Sequence, residues 1–380
     1  AARTQRKGGR TMSNVDQTAV SQTAIEQATL QRLSKSDLGV RIAFAETPKL
    51  GEPVQVAERI WWIRLPLTSA MDHVNVYALE DRHAWTLVDT GSNTPACRAG
   101  LEAVFDRGPL SHKPIQRVIA THYHPDHIGL AGWLAERGAE LYATQVCWLT
   151  ARVLQLDDRA LPCADQVRFV ERAGVKGMAL AAYRRHSPST YPKLVAPVPF
   201  SYRRLEEGDE LDIADRRWRI YVDHGHAAGH ATLWSDDGLA LTGDQILPGI
   251  ASNLSVHASE PDADLVSEWL ESCRRLSFIA TDATLCLPGH NAPFYGAPAR
   301  CEQLMSNLEI VLQRLLQRLS RPATAVECLE AVYRRQLDGN EQATLIAETV
   351  GFLNHLNKQG LVRRELGRDG AYIWRLEPKR

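Results

Sequence analysis

The chain of 380 residues contains seven cysteines (97, 147, 163, 273, 286, 301 and 328), and no two of them form a Cys-x-x-Cys pair. That spacing excludes a thiolate zinc site and a disulfide framework, and it fits reduced thiols in a cytoplasm. Neither sign of charge is in excess. A formal net charge of −1 gives no chain-wide field to attract nucleic acid. No apolar run approaches the ~20 residues that span a bilayer. No secretory apolar segment is present either, which argues against a periplasmic antibiotic-resistance enzyme. A phosphate-cradling Gly-rich loop and a Ser-His-Asp order are also missing, so nothing competes with the histidine chemistry described next. The first twelve residues carry Arg3, Arg6, Lys7 and Arg10 and no acid. We take Met12 as the first residue of the native chain, with a mitochondrial transit peptide as the alternative, and expect residues 1–35 to be disordered.

Against these absences stands one dense cluster. His122, His124, Asp126 and His127 fall within six residues, in the run Thr121-His-Tyr-His-Pro-Asp-His127. Without a cation they would leave several imidazole nitrogens and one carboxylate needing partners. Alternate residues of an extended or tightly turned segment point the same way, so His122 and His124 can grip one ion. Asp126 and His127, just past the turn, can grip a second. Imidazole and carboxylate without thiolate suit zinc, with iron or manganese as alternatives.

Apolar runs place this cluster. Arg117–Ala120 reads as a short buried strand and Ile128–Ala135 as a helix, so the cluster sits on a loop at the carboxyl end of a strand. Three more strand-like runs end in ligand-type residues. Trp218–Val222 leads into Asp223-His-Gly-His-Ala-Ala-Gly-His230, Leu239–Gly243 ends at Asp244, and Leu285–Gly289 ends at His290. Upstream, Trp85–Val88 ends at Asp89 before Gly91.

With these motifs in this order, the chain resembles the metallo-β-lactamase superfamily over roughly Val54 to Arg300. The resemblance implies an α/β fold, a four-layer αββα sandwich with a metal centre at one edge. It implies that His122, His124 and His226 hold one metal and that Asp126, His127 and His290 hold the other, with Asp244 bridging. Two Zn2+ are the implied cofactors, and a water or hydroxide shared by both is the implied nucleophile, served by Asp126 and Asp244 as catalytic carboxylates. The glycine before His226 favours it over His224 and His230. His230 is expected to orient a ligand or cap a strand, and Asp89 to support a ligand without binding metal. His83, His112 and His355 are read as surface or ordinary core residues.

The remaining chain adds three expectations. Gln145–Gln155 and Ala164–Arg185 read as amphipathic helices inside an insertion, residues 145–200, that caps the metal site; Tyr183, Arg184, Arg185 and His186 are candidates to touch substrate. A long helix follows from about Ala299 to Leu319. Helices at Ala323–Arg335 and Gln342–Gln359 and a two-stranded wing ending at Leu376 then resemble the C-terminal winged-helix unit of the lactamase-beta-like branch. The domains are thus a disordered segment 1–35, a metallo-β-lactamase domain 36–300 with its cap, and a C-terminal domain 301–380. The helix Glu348–Gln359 is weakly charged, which favours packing or homodimerisation over nucleic-acid reading.

Two cations can polarise a carbonyl, activate water and stabilise an oxyanion. The reading is therefore a metal-dependent hydrolase of an acyl thioester or ester, with a small acyl compound as its partner and no membrane. A thiolate leaves without a strong general acid, and none stands near the motifs. An endoribonuclease and a lactonase are the rival readings, followed by a mononuclear iron sulfur dioxygenase and a non-catalytic partner-binding member.

Overall fold

Two seven-stranded sheets organise the chain. The computed structural model describes residues 39–68, 71–186, 190–334 and 342–378, so the segment expected to be disordered, 1–35, lies outside the described residues. In chain order the elements begin with β1 (Arg41–Ile42), β2 (Val54–Ala57), β3 (Ile60–Pro66), β4 (His73–Glu80), β5 (Trp85–Val88), α1 (Pro95–Phe105), β6 (Ile115–Ile119), α2 (Pro125–Ile128), α3 (Ala131–Glu136) and β7 (Glu140–Thr144). A helical stretch follows: α4 (Gln145–Leu156), α5 (Ala164–Ala173), α6 (Gly177–Tyr183) and α7 (Tyr191–Leu194). Then come β8 (Arg203–Leu205), β9 (Glu210–Ile213), β10 (Arg216–Asp223), β11 (His230–Ser235), β12 (Leu239–Gly243), α8 (Leu265–Ile279), β13 (Leu285–Pro288), β14 (Phe294–Tyr295) and α9 (Ala297–Arg318). The chain closes with α10 (Ala325–Tyr333), α11 (Gln342–Lys358), β15 (Val362–Leu366) and β16 (Tyr372–Leu376).

The first sheet has the order β2-β3-β4-β5-β6-β7-β8 and the second β1-β14-β13-β12-β11-β10-β9. Strands β5, β6, β7 and β8 are parallel. In the second sheet β10 and β12 each run antiparallel to β11, and β12 runs parallel to β13, so these three share a direction. Side chains of both sheets meet between them, with Trp62, Tyr77 and Leu79 from one facing Trp218, Ile220 and Leu233 from the other. The outer face of the first sheet is covered by α1 and α3, through Leu101, Val104 and Leu134. The outer face of the second is covered by α8 and α9, through Trp269, Cys273, Cys301 and Leu304. This is the four-layer αββα arrangement. Strand β4 shows its logic. It reads His-Val-Asn-Val-Tyr-Ala-Leu-Glu and is buried on both faces, with helix on one side and sheet on the other. Each large apolar side chain buried this way contributes about 1.5–3 kcal/mol.

Two expected helices are broken. The run Ile128–Ala135 is split between α2 and α3, because the amide of Leu130 donates to Gly91 O and Thr90 Oγ1 (3.1 and 3.0 Å) instead of continuing the helix. The run Ala164–Arg185 divides at Gly174, which takes φ +104 as the left-handed cap of α5. A Cβ at Gly174 would stand 2.6 Å from the Thr324 side chain, so the break also lets α5 approach the C-terminal unit.

That unit is built from α10, α11 and the antiparallel ribbon β15–β16. It shares one hydrophobic cluster with α8 and α9, so it packs on the sandwich. Among the described residues no helix is long and apolar enough to cross a membrane.

Candidate metal centre

Strand ends bring the candidate ligands to one edge of the sandwich. Asp89 follows β5, the run His122–His127 follows β6, His226 follows β10, Asp244 follows β12 and His290 follows β13. Backbone bonds join the two sheets at this edge, with Ala231 N donating to Thr121 O (2.7 Å) and Asn75 N to Gly289 O (2.7 Å). Gly289 is required by crowding. A Cβ there would lie 2.2 Å from Asp244 Oδ1 and 2.7 Å from His127 Cε1.

All seven candidate ligands converge. Single ligand atoms of His122, His124 and His226 lie within 4.8 Å of one another, as do those of Asp126, His127 and His290. Asp244 stands between the two groups. Its Oδ2 is 3.6 Å from His226 Nε2, 3.5 Å from His127 Nε2 and 3.2 Å from His290 Nε2. Asp126 Oδ2 is 3.3 Å from His290 Nε2 and 3.6 Å from His127 Nε2.

Outer hydrogen bonds fix which nitrogen faces inward. His127 Nδ1 donates to Asp89 Oδ2 (2.7 Å), His226 Nδ1 to Asn253 O (2.9 Å) and His290 Nδ1 to His73 O (2.8 Å). The hydroxyl of Thr121 donates to Asp89 Oδ2 (2.9 Å), so toward His122 Nδ1, 3.0 Å away, it acts as acceptor. Four imidazoles therefore carry Nδ1–H outward and turn Nε2 inward. His122 Nε2 meets His124 Nδ1 at 2.9 Å, and the buried Nε2 atoms of His127 and His226 and Oδ1 of Asp244 have no hydrogen-bond partner. Inward-facing acceptors around two carboxylates need positive charge, and a pair of divalent cations fits them.

The electrostatics divide the site. Burial and neighbouring imidazoles push His122 and His124 well below the usual histidine range, and burial lowers His226, so this group is neutral. Burial also opposes charge on His290, but Asp244 and Asp126 outweigh it and raise its pKa to about 10. His127 is raised well above its ordinary value in the same way, chiefly by Asp244 and Asp126 against burial. In the second group the two carboxylates therefore favour positive charge, which protons on these imidazoles supply when no cation is bound.

The neighbours behave unequally. His230 stacks on His122 (ring centroids 4.7 Å apart) and its Nε2 accepts from Asp244 N (3.1 Å), so it supports the bridge from behind. His224 is exposed and faces away, with its Nδ1 accepting from Gly229 N. His83 and His112 are exposed, and His355 is buried against Asp264. Arg184 pairs with Glu171, and neither it nor Tyr183, Arg185 or His186 lines the cleft beside the site. That cleft is lined instead by Tyr123, α4, α5, the segment 257–262 and the C-terminal ribbon. The segment after α6 does reach the site, because Tyr191 Oη donates to Tyr123 O (2.6 Å) and Ala196 N to Gly129 O (2.8 Å).

His73 and Asn253 were missed in the sequence. Each acts through its backbone carbonyl, which leaves no residue-type signal. Glu348 was also missed. From α11 its Oε1 accepts Leu254 N (3.1 Å), fixing the loop whose Asn253 O holds His226.

Comparisons with known proteins find related chains. Residues 71–144 match the family described as metallo-beta-lactamase superfamily, and residues 312–377 match the metallo-beta-lactamase-like C-terminal domain. The probable metallo-hydrolase YqjP of Bacillus subtilis (strain 168) is 26% identical over 316 residues, covering 78% of this chain and 92% of that protein. A crystal structure of a beta-lactamase domain protein from Burkholderia ambifaria superposes with a TM-score of 0.82 at 33% identity, covering 90% of this chain and 100% of that one. A metallo-beta-lactamase family protein from Thermus thermophilus gives a TM-score of 0.71 at 25% identity, with 85% and 100% covered.

Proposed function

The chain belongs to the metallo-β-lactamase superfamily and is a metal-dependent hydrolase, and on that footing we propose that it cleaves an acyl thioester at a centre of two divalent cations, Zn2+ by donor type. The observation that carries the reading is the inward turn of four Nε2 atoms, each enforced by an outer hydrogen bond, with those of His127, His226 and His290 set against Asp126 and Asp244 and that of His122 against His124. His122, His124 and His226 would hold one cation, Asp126, His127 and His290 the other, with Asp244 between them. When bound, such a pair polarises a carbonyl and brings the pKa of a shared water towards neutrality.

The protein groups do the rest. Asp126 is the more exposed of the two carboxylates, 22% against 8% for Asp244, so it faces incoming substrate and is the group to orient the attacking water and take its proton. Asp244 spans both ligand groups and fixes their separation. Burial holds the Tyr123 phenol up to about 12, so beside the site it remains a neutral hydrogen-bond donor at pH 7. A thiolate departs near neutral pH without a strong acid to protonate it, which suits this set of groups. The helical segment 145–200 is inferred to act as the cap that sets substrate size, and the C-terminal unit as a packing element of winged-helix type; the apolar wall that α4 lends to the cleft supports the first and the contacts of α11 with the loop after β12 support the second.

The test is metal-reconstituted protein offered thioesters, lactones, nitrocefin and single-stranded RNA. The expected result is metal-dependent thioester turnover. RNA cleavage with no thioester turnover would transfer the assignment to an endoribonuclease.

A further inference from the structure

A cleft of about 870 Å3 runs between α4, α5, the segment 257–262 and the ribbon β15–β16. One lining residue is Tyr123, which lies between His122 and His124 in the chain and meets the His124 ring edge-on at 5.1 Å. Tyr123 belongs to the core beneath α4, whereas Trp374 and Tyr372 belong to the C-terminal core, so the cleft spans the seam between the two. Its size falls within the range of small-molecule sites, roughly 300–1,000 Å3.

The charges lining it do not cancel. Arg159 pairs with Asp157, Arg168 with Asp165 and Arg364 with Asp262. Among the described residues Arg172 has no carboxylate partner; its polar contact is a long one to Gly370 O at 3.4 Å. Its guanidinium lies 5.0 Å from the centroid of Tyr372, and that of Arg364 lies 4.5 Å from the same centroid. Asp262 already serves Arg364, so the charge left without an anion beside that ring is the one on Arg172. The α4 wall is of another kind, with Leu149 and Val153 apolar yet 45% and 63% exposed.

We propose that this cleft holds the non-reacting end of the substrate, an apolar spacer along Leu149 and Val153 and an anionic group, carboxylate or phosphate, at Arg172 beside the Arg364–Asp262 pair. The inference rests on the acyl-hydrolase reading for its reacting end. A small anion is favoured over a nucleic-acid backbone because the surplus is one cation beside an apolar wall, whereas a polyphosphate chain calls for a row of them.

The test measures binding, with no hydrolysis involved. Titration calorimetry on the full metal-free chain compares S-methyl-coenzyme A, S-methylglutathione and the neutral N-acetyl-S-methylcysteamine. One of the two anionic thioethers is expected to bind on the order of tenfold more tightly than the neutral one; which of them does so identifies phosphate or carboxylate. Arg172→Gln should erase that advantage and Arg172→Lys should keep part of it, and on separate reconstitution both variants should take up zinc as the unaltered chain does. Equal binding of all three compounds, an advantage untouched by Arg172→Gln, or tighter Arg172-dependent binding of a short single-stranded RNA would overturn the proposal. A chain that shows the Arg172-dependent preference but cleaves no thioester would sink the reaction and leave the cleft standing.

Discussion

Oδ2 of Asp89 lies 2.7 Å from Nδ1 of His127. The same oxygen accepts the Thr121 hydroxyl, which accepts in turn from His122. One carboxylate outside both ligand groups therefore sets the tautomer of an imidazole in each. In Asp89→Asn an amide N–H can face His127 Nδ1 and reverse that tautomer. Zinc affinity should fall by about 10–100-fold, as is usual when such a partner of a ligand is lost. Asn tolerates the φ of +62 found here, so the fold should survive. Chelator competition and circular dichroism check the two parts.

Glu348 should act on the metal from outside the sandwich. It accepts from Leu254 N and from Tyr333 Oη (2.7 Å), and Asn253, next in the loop, holds His226. Glu348→Ala removes the acceptor for a part-buried amide, a cost of about 1–3 kcal/mol. It should weaken the ion at His122, His124 and His226 more than its partner. Glu348→Gln, which keeps an acceptor oxygen, should lie nearer wild type. Equal loss at both ions, read by stepwise zinc titration, would contradict the link.

Gly289→Ala should disrupt the two-cation centre. Its methyl would lie 2.2 Å from Asp244 Oδ1, so the bridging carboxylate must move. Zinc per chain, measured after reconstitution and dialysis, should fall to one equivalent or less.

The metal-free protein should weaken towards high pH. His290 has its pKa raised to about 10 from an ordinary value of 6.5, with burial opposed and outweighed by Asp244 and Asp126. A raised folded-state pKa means stability that is complete below about pH 6.5 and lost as pH climbs through about 10. The Tm of the metal-free chain should decline across that window. With zinc bound the decline should disappear, because the cation replaces the proton, and zinc uptake at pH 7 should release protons. Calorimetry in buffers of different ionisation enthalpy counts them.

Much of the site could be read from the chain because its ligands sit at strand ends. Strand β6 and the run His122–His127 are adjacent in sequence, and His226, Asp244 and His290 each follow a glycine after an apolar run. The sandwich was legible only through the resemblance those motifs carry; β12 reads as an apolar run, but β4, interrupted by His73, Asn75 and Glu80, was not read from the sequence. What stayed hidden depends on tertiary contact. The carbonyls of His73 and Asn253 orient two ligands, and any residue has a carbonyl. The break between α2 and α3 arises because Leu130 N bonds across to Thr90 and Gly91, which lie on a distant loop. The lining of the cleft was hidden too, since Tyr183, Arg184, Arg185 and His186 are not part of it. The cleft draws on Arg172 and on Arg364, which are separated by most of the second sheet in sequence and meet only at Tyr372.

Anomalous diffraction at the zinc edge, on crystals of the reconstituted chain, tests the centre most directly. The account requires two peaks about 3.5–4 Å apart, one among His122, His124 and His226 and one among Asp126, His127 and His290, with Asp244 touching both. A single peak held by only three residues, or no peak beside Asp244, would contradict it.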